Sequence, residues 1–121
     1  RHSFPTRRSS DLFRAERDVL IGAFAQIAKR NAICRMDLAG DTLHLDTWNR
    51  AHPLDITVGG ERDGTFALVN PWWAVDALRE SLDPKIEVET FTGIVDLIVI
   101  TDAERTAVRH MVDRRAPRED R

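Results

Sequence analysis

The sequence predicts a single α+β domain in which two helices lie on one face of antiparallel sheet. Two amphipathic segments are separated by runs of short strands, so strands and helices do not alternate as in a doubly wound fold. The length, 121 residues, suits one domain, and 42% hydrophobic with 31% charged residues is a globular balance. The single cysteine, Cys34, excludes an internal disulfide framework and a multi-cysteine metal site. No apolar run approaches the roughly 18 residues of a membrane-spanning helix.

The first twelve residues have a separate interpretation. The run from His2 to Leu12 matches one translated frame of a common short-read sequencing adapter. We therefore interpret residues 1–12 as a translation artefact and expect the natural sequence from Phe13 onward. A basic, serine-rich natural tail or targeting peptide is the alternative interpretation. Residues 13–121 carry 15 basic and 19 acidic groups, a net charge of −4, which does not mark the chain as a global nucleic-acid binder.

An amphipathic pattern predicts the first helix from Arg17 to about Arg30. Apolar residues recur at helical spacing at Leu20, Ala23, Phe24 and Ile27. Lys29 and Arg30 would lie in the last turn, where cations suit the helix dipole, and Asn31 is a plausible end.

Four short strands are predicted next, from alternating apolar residues. They cover residues 34–38, 42–47, 53–58 and 64–69. The turn signal Ala39-Gly40-Asp41 makes the first two a hairpin. The glycine-rich segment from Gly59 to Gly64 has the composition of a further turn and lacks the Lys-Ser/Thr of a phosphate-binding loop.

Asn70 and Pro71 predict the start of the second helix, because asparagine is a good N-cap and proline suits the first helical position. This helix is expected to run to about Leu82 and to stop at Asp83-Pro84. Three strands follow, over residues 86–91, 97–100 and about 107–112, and residues 116–121 are a charged tail. A strand near residues 13–16 would make the chain two copies of strand–helix–three strands.

The residues offer little for catalysis. Outside residues 1–12 the only serine is Ser81, and no nucleophile elbow is present. The natural histidines lack partners at metal-binding spacing, and Cys34 is interpreted as a buried core residue. We therefore expect no enzyme, metal site or cofactor. A small enzyme that uses Asp96, which lies in an apolar stretch, or His44 is the weaker alternative.

Two features of the helices are candidates for contact with another molecule. Trp72 and Trp73 begin the second helix, where one is expected to pack inward and the other to lie nearer solvent. Basic residues are also placed on both helices. They are Arg17, Lys29, Arg30 and Arg79. The alternative interpretation is that these basic residues simply belong to solvent-exposed helix faces and bind no partner.

An ordered set of segments resembles the third, carboxy-terminal domain of the bacterial sliding clamp, the beta subunit of DNA polymerase III. The resemblance spans about residues 13–115. It rests on Asp18-Val19-Leu20, Ala23-Phe24-Ala25, Arg35-Met36-Asp37-Leu38, Leu43-His44-Leu45, Leu54-Asp55-Ile56-Thr57, Gly60, Asn70-Pro71 with Asp76-Ala77-Leu78, Thr92-Gly93 and Met111.

The resemblance implies a non-catalytic, cytoplasmic processivity factor without a cofactor. Three such domains per chain and two chains head to tail, a homodimer, would close a ring around double-stranded DNA. Contacts to phosphates would be independent of sequence. The residues implied at the DNA are Gln26, Lys29, Arg30 and Arg79. Peptides of the DNA polymerase and the clamp loader would bind a hydrophobic pocket implied at Ile98, Ile100 and Met111.

The chain also departs from the clamp pattern. The usual ending Met-Pro-hydrophobic-Arg is replaced by Met111-Val112-Asp113-Arg114, which puts an acid where an apolar residue is expected. Ile94 and Asp96 follow Thr92-Gly93 where prolines are common, and Trp72 takes a usually polar position. These differences keep a second hypothesis open, a small α+β module that binds a protein partner through Trp72 or Trp73.

Overall fold

The computed structural model describes residues 9–30, 33–61, 67–92, 95–102 and 107–113. Two helices and nine strands lie in these ranges. The elements are β1 (Ser9–Glu16), α1 (Arg17–Ala28), β2 (Cys34–Ala39), β3 (Thr42–Thr47), β4 (Leu54–Thr57), β5 (Gly59–Glu61), β6 (Ala67–Val69), α2 (Pro71–Arg79), β7 (Lys85–Thr92), β8 (Val95–Thr101) and β9 (Ala107–Asp113). The α+β class predicted from the sequence is confirmed.

The strands form two antiparallel sheets whose composition reveals an internal repeat. One sheet has the order β5-β1-β7-β8-β9 and the other β4-β3-β2-β6. Each half of the chain supplies strand–helix–three strands, to which the first half adds β5, and the first strand of each half joins the sheet of the other half. Thus β1 pairs with β7 along all eight of its residues, and β6 pairs with β2. Each sheet therefore contains strands from both halves of the chain.

The helices pack against each other in opposite directions. The backbone N–H of Arg17, at the start of α1, donates to the carbonyl of Pro84 at 2.8 Å, and the Arg17 guanidinium donates to the carbonyl of Ser81 at 2.6 Å. Since Ser81 and Pro84 follow α2, the start of α1 lies beside the end of α2. Both helices and both sheets share one core. Its members include Phe13, Leu20, Phe24, Met36, Leu45, Val75, Leu78 and Ile98.

Both helices end earlier than the sequence pattern predicts. Helix α1 stops at Ala28, so Lys29 is its C-cap residue and neither Lys29 nor Arg30 lies in the last turn. Helix α2 stops at Arg79 rather than near Leu82. The backbone after Arg79 turns so that the carbonyl of Ser81 reaches Arg17, a tertiary contact that the local sequence does not reveal.

The glycine-rich segment after β4 is a strand at its beginning, not a turn as predicted. After Val58 the chain leaves the four-stranded sheet, and Gly59–Glu61 pair with β1 at the edge of the five-stranded sheet. A Cβ atom on Gly60 would lie 2.9 Å from both Leu38 Cδ2 and Phe13 Cβ, so this crossing needs a residue without a side chain. Residues 62–66 lie outside the described part of the chain.

Strand β1 begins earlier than the predicted residues 13–16. It includes Ser9–Leu12, which belong to the segment interpreted as adapter-derived. Backbone pairing uses N–H and C=O groups that every residue except proline carries, so this strand does not test the origin of those residues. That interpretation and the limits of the domain, residues 13–115, stay predictions. The charged tail at residues 116–121 lies outside the described residues.

Candidate functional site

The helix residues expected at DNA fall into two separate groups. Gln26, Lys29 and Arg30 are exposed at the carboxyl-terminal end of α1, and Arg79 is exposed at the end of α2. Because the helices run in opposite directions, Arg79 lies near the start of α1. At about 1.5 Å per residue the 12 residues of α1 span about 18 Å, so the two groups lie near opposite ends of the helix pair.

The carboxyl-terminal end of α1 is the more basic of these two regions. Near the other end, exposed carboxylates accompany Arg79, since Asp76 precedes it by three residues and Glu80 follows it directly. The guanidinium of Arg17 is engaged, with one nitrogen 2.8 Å from a carboxylate oxygen of Asp18. Adjacent Lys29 and Arg30 therefore provide the clearest local positive charge on the helical surface.

Gln26 and Arg30 also line a cleft of about 320 Å³. Ile27 contributes to the same wall from α1, and the opposite wall is made by residues 51–54, which connect β3 to β4 and begin β4. This opposite wall includes His52. The sequence spacing gave no reason to place His52 beside α1, because 22 residues separate it from Arg30.

The two tryptophans are placed as expected, one inward and one toward solvent. Trp73 packs against the hydrophobic core, whereas Trp72 is 50% exposed. The side-chain oxygen of Asn70 accepts hydrogen bonds from the backbone N–H groups of Trp72 and Trp73, at 2.9 and 3.2 Å. The start of α2 therefore holds an exposed aromatic side chain on an ordered backbone.

The residues implied at the peptide pocket lie on β8 and β9, the last two strands of the five-stranded sheet. Ile98 and Ile100 are almost completely buried in the core. Their neighbours Leu97 and Val99, which point to the other face of β8, are half-buried. Met111 is directly opposite Leu97 in the pairing of β8 with β9, and its side chain is outside the described part of the structure.

This register adds residues that the sequence reasoning missed. Directly paired residues share a face of an antiparallel sheet, so Leu97 shares the face of position 111. On the neighbouring strand β7, Phe91 pairs directly with Leu97 and is also half-buried. The alternation of side chains along β8 predicts that Ile98 and Ile100 lie on one face and Leu97 on the other. Only the pairing of Leu97 with Met111 indicates which of these faces carries position 111.

Asp96, one of the two residues named for the weaker enzyme hypothesis, has a structural role. It is completely buried, and its Oδ2 atom accepts a hydrogen bond from the backbone N–H of Leu68 at 2.9 Å. This contact joins β8 to β6 and therefore links the two sheets. A buried N–H without such an acceptor would destabilise the fold by about 1–3 kcal/mol.

The other reactive side chains do not converge on Asp96. The imidazole Nδ1 of His44 lies 2.5 Å from the carboxylate of Asp55 on the exposed face of the four-stranded sheet. Cys34 is buried as expected, and burial raises the pKa of its thiol far above the ordinary value, so the reactive thiolate is disfavoured. Within the described residues, no group of three or more His, Cys, Asp or Glu side chains could hold a metal ion.

Two repeated units with exchanged first strands, one shared core and two adjacent helices define the fold as a clamp-like α+β domain. The fold is similar to that of a DNA polymerase III beta subunit from Eubacterium rectale, with a TM-score of 0.73 and 13% identity, covering 93% of this chain and 32% of that one. It is also similar to DNA polymerase III subunit beta from Borrelia burgdorferi, solved in complex with a natural product, with a TM-score of 0.66 and 13% identity. That match covers 90% of this chain and 30% of the other.

These similarities confirm the sliding-clamp resemblance at the level of the fold. The chain spans about a third of the length of the clamp structures that it matches, so it corresponds to a domain of them. Comparison of the sequence with protein families and with curated proteins finds no match. Neither of the two described helices has the length and apolar character needed to cross a membrane.

Proposed function

We propose that this chain is one domain, of the third-domain type, of a sliding clamp that encircles duplex DNA and tethers a DNA polymerase. The observation that carries the proposal is the clamp fold over more than nine-tenths of the chain. As a tether, the protein acts without chemistry of its own, by raising the effective concentration of its partner near the template. Ring closure as a homodimer and a cytoplasmic location belong to the same proposal.

The basic end of α1 supplies the proposed contact with DNA. Lys29 and Arg30 are adjacent and exposed, and Gln26 lies one turn before Arg30. Cationic side chains of this kind bind phosphates, so the interaction is independent of sequence and weakens as salt rises. Arg79 acts as a second, separate contact because it lies at the other end of the helix pair.

The outer face of the last strands supplies the proposed site for peptides of the polymerase and the clamp loader. Met111 stands opposite Leu97 in the register, and methionine adapts to several partners. Ile98 and Ile100 support this site from the core side of β8, where they are buried. Phe91 extends the apolar row across β7.

A salt titration of DNA binding tests the proposed function. We expect the chain to bind two unrelated 20-base-pair duplexes equally, with affinity falling between 20 and 200 mM NaCl in fluorescence anisotropy. The double variant Lys29→Gln/Arg30→Gln should make the negative slope of log K against log salt shallower, by about 0.9 for each lost phosphate contact.

The matched control removes two positive charges from the sheet side. Arg14 and Lys85 are exposed and pair with Glu87 and Glu16, at 2.8 and 2.6 Å. Arg14→Gln/Lys85→Gln therefore changes the net charge equally without touching the helices. Equal losses from the two double variants would show only a general charge effect, and the absence of DNA binding by the parent chain would refute the proposal.

A protein-binding module is the second candidate, because Trp72 is half-exposed at a fixed position. The two functions predict opposite results with a fluorescent clamp-binding peptide from a replicative polymerase. For a clamp, Met111→Glu should abolish peptide binding by placing a charge at an apolar site, whereas Trp72→Ala should leave it unchanged. The reverse result would favour the module, since an interfacial tryptophan is a common hot spot.

A further inference from the structure

The cleft beside the end of α1 has the composition of an anion site. Its three side chains with hydrogen-bond donors are the guanidinium of Arg30, the amide of Gln26 and the imidazole of His52. None of the seven described residues that line it is acidic. Its volume of about 320 Å³ accommodates a phosphate group with part of an attached sugar.

Both walls of the cleft are held by the fold. On the α1 side, Ile27 is buried in the core and fixes the helix face that carries Gln26 and Arg30. On the opposite side, Leu54 begins β4 and pairs with Leu45 of β3. The relative positions of Arg30 and His52 are therefore set by packed elements.

The connection that carries His52 is ordered by a buried carboxylate. Asp46 is 6% exposed, and its Oδ1 atom accepts hydrogen bonds from the backbone N–H groups of Thr47 and His52, at 2.7 and 2.9 Å. The Thr47 hydroxyl accepts from the N–H of Ala51 at 3.1 Å and donates to Asn49 at 2.6 Å. A ligand that binds here orders little additional backbone.

A second cleft offers a natural comparison. It encloses about 300 Å³ and also contains arginine and histidine side chains, Arg35, Arg50 and His44. Two carboxylates, Asp37 and Asp46, line it as well, and His44 contacts Asp55. The cations of the second cleft thus lie beside carboxylates of the chain itself, whereas the seven residues that line the first cleft include none.

We propose that Gln26, Arg30 and His52 together bind one phosphodiester of the DNA backbone. This inference rests on the proposed function, because it places the cleft at the basic end of the helical surface that faces DNA. It assigns His52, which no motif indicated, as a phosphate ligand beside Arg30.

A double-mutant cycle tests whether the two side chains share one phosphate. We expect His52→Ala to weaken binding of the 20-base-pair duplex about fivefold at 50 mM NaCl, the equivalent of one net hydrogen bond. Arg30→Gln should weaken it at least as much, and the double variant should lose less than the product of the two effects. His44→Ala and Arg50→Gln, the matched variants of the second cleft, should change affinity by less than about twofold.

The outcomes separate this inference from the proposed function. If the chain binds DNA and Lys29→Gln/Arg30→Gln weakens it, but His52→Ala behaves like His44→Ala, the phosphate site is wrong and the clamp proposal stands. If the effects of His52→Ala and Arg30→Gln multiply fully, the two residues do not share a phosphate. If the parent chain does not bind DNA, both the clamp proposal and the phosphate site are refuted, even if an acidic peptide binds the cleft. Circular dichroism melting curves show whether each variant is folded.

Discussion

The two halves of the molecule share one order of elements but begin their helices in different ways. In the second half, the side-chain oxygen of Asn70 caps α2 by accepting two backbone N–H hydrogen bonds, and Pro71 takes the first helical position. In the first half, β1 passes directly into α1, and Glu16 makes no side-chain capping bond. The first N–H of α1 instead donates to Pro84, which belongs to the other half. The start of α2 is therefore encoded locally, whereas the start of α1 depends on the assembled fold.

The first half also contains an element without a counterpart in the second. Strand β5 leaves the four-stranded sheet of its own half and adds to β1 in the other sheet. Gly60 makes this possible, because its backbone lies against Phe13 and Leu38. The first half thus contributes long-range contacts at both of its ends, at Arg17 and at Gly60.

The largest effect is expected from Gly60→Ala. The new Cβ atom would lie 2.9 Å from Phe13 Cβ, which cannot move without its backbone, and 2.9 Å from Leu38 Cδ2. Overpacking of this kind costs about 1–3 kcal/mol. Urea unfolding followed by tryptophan fluorescence should show a lower midpoint with an unchanged slope.

Gly22→Ala is the matched control for this substitution. Gly22 lies within α1, is exposed, and would place a Cβ with no other atom within 4 Å. Alanine should therefore stabilise the protein by about 0.5–1 kcal/mol, because glycine is unfavourable inside a helix. If both substitutions stabilise the protein, the close approach of β5 to β1 is not formed in solution.

The same contrast explains what could be predicted from the sequence. Asn70 and Pro71 predicted the start of α2 correctly because the capping interaction lies within four residues. The end of α2 was predicted too late, and there the chain makes a nonlocal contact, between Arg17 and Ser81, which are 64 residues apart. Local signals were reliable where the stabilising contact was local.

The candidate site follows the same rule. The exposed positions of Lys29 and Arg30 were predictable from helical periodicity, although the exact end of α1 was not. The approach of His52 to Arg30 depends on the path of the β3–β4 connection, which Asp46 determines through its hydrogen bonds. No composition or spacing rule indicates such an approach. The register that places Leu97 opposite Met111 was equally hidden.

The smallest effect is expected at the helix starts, where the two halves can be compared directly. Asn70→Ala removes the acceptor for the N–H groups of Trp72 and Trp73 and should destabilise the protein by about 1 kcal/mol. Asn70→Asp retains an acceptor and should be close to the parent. Glu16→Ala, at the equivalent position before α1, removes only an exposed ion pair with Lys85 and should change stability by less than about 0.5 kcal/mol.

These three variants decide whether the asymmetry between the helix starts is energetic as well as geometric. Equal losses from Asn70→Ala and Glu16→Ala in thermal unfolding would contradict it, because the local cap would then contribute no more than a surface ion pair. A larger loss at Asn70 together with retention in Asn70→Asp would assign the difference to the side-chain acceptor. In that case local interactions stabilise the first turn of α2, whereas the first turn of α1 is stabilised by the carbonyls of Ser81 and Pro84 from the second half.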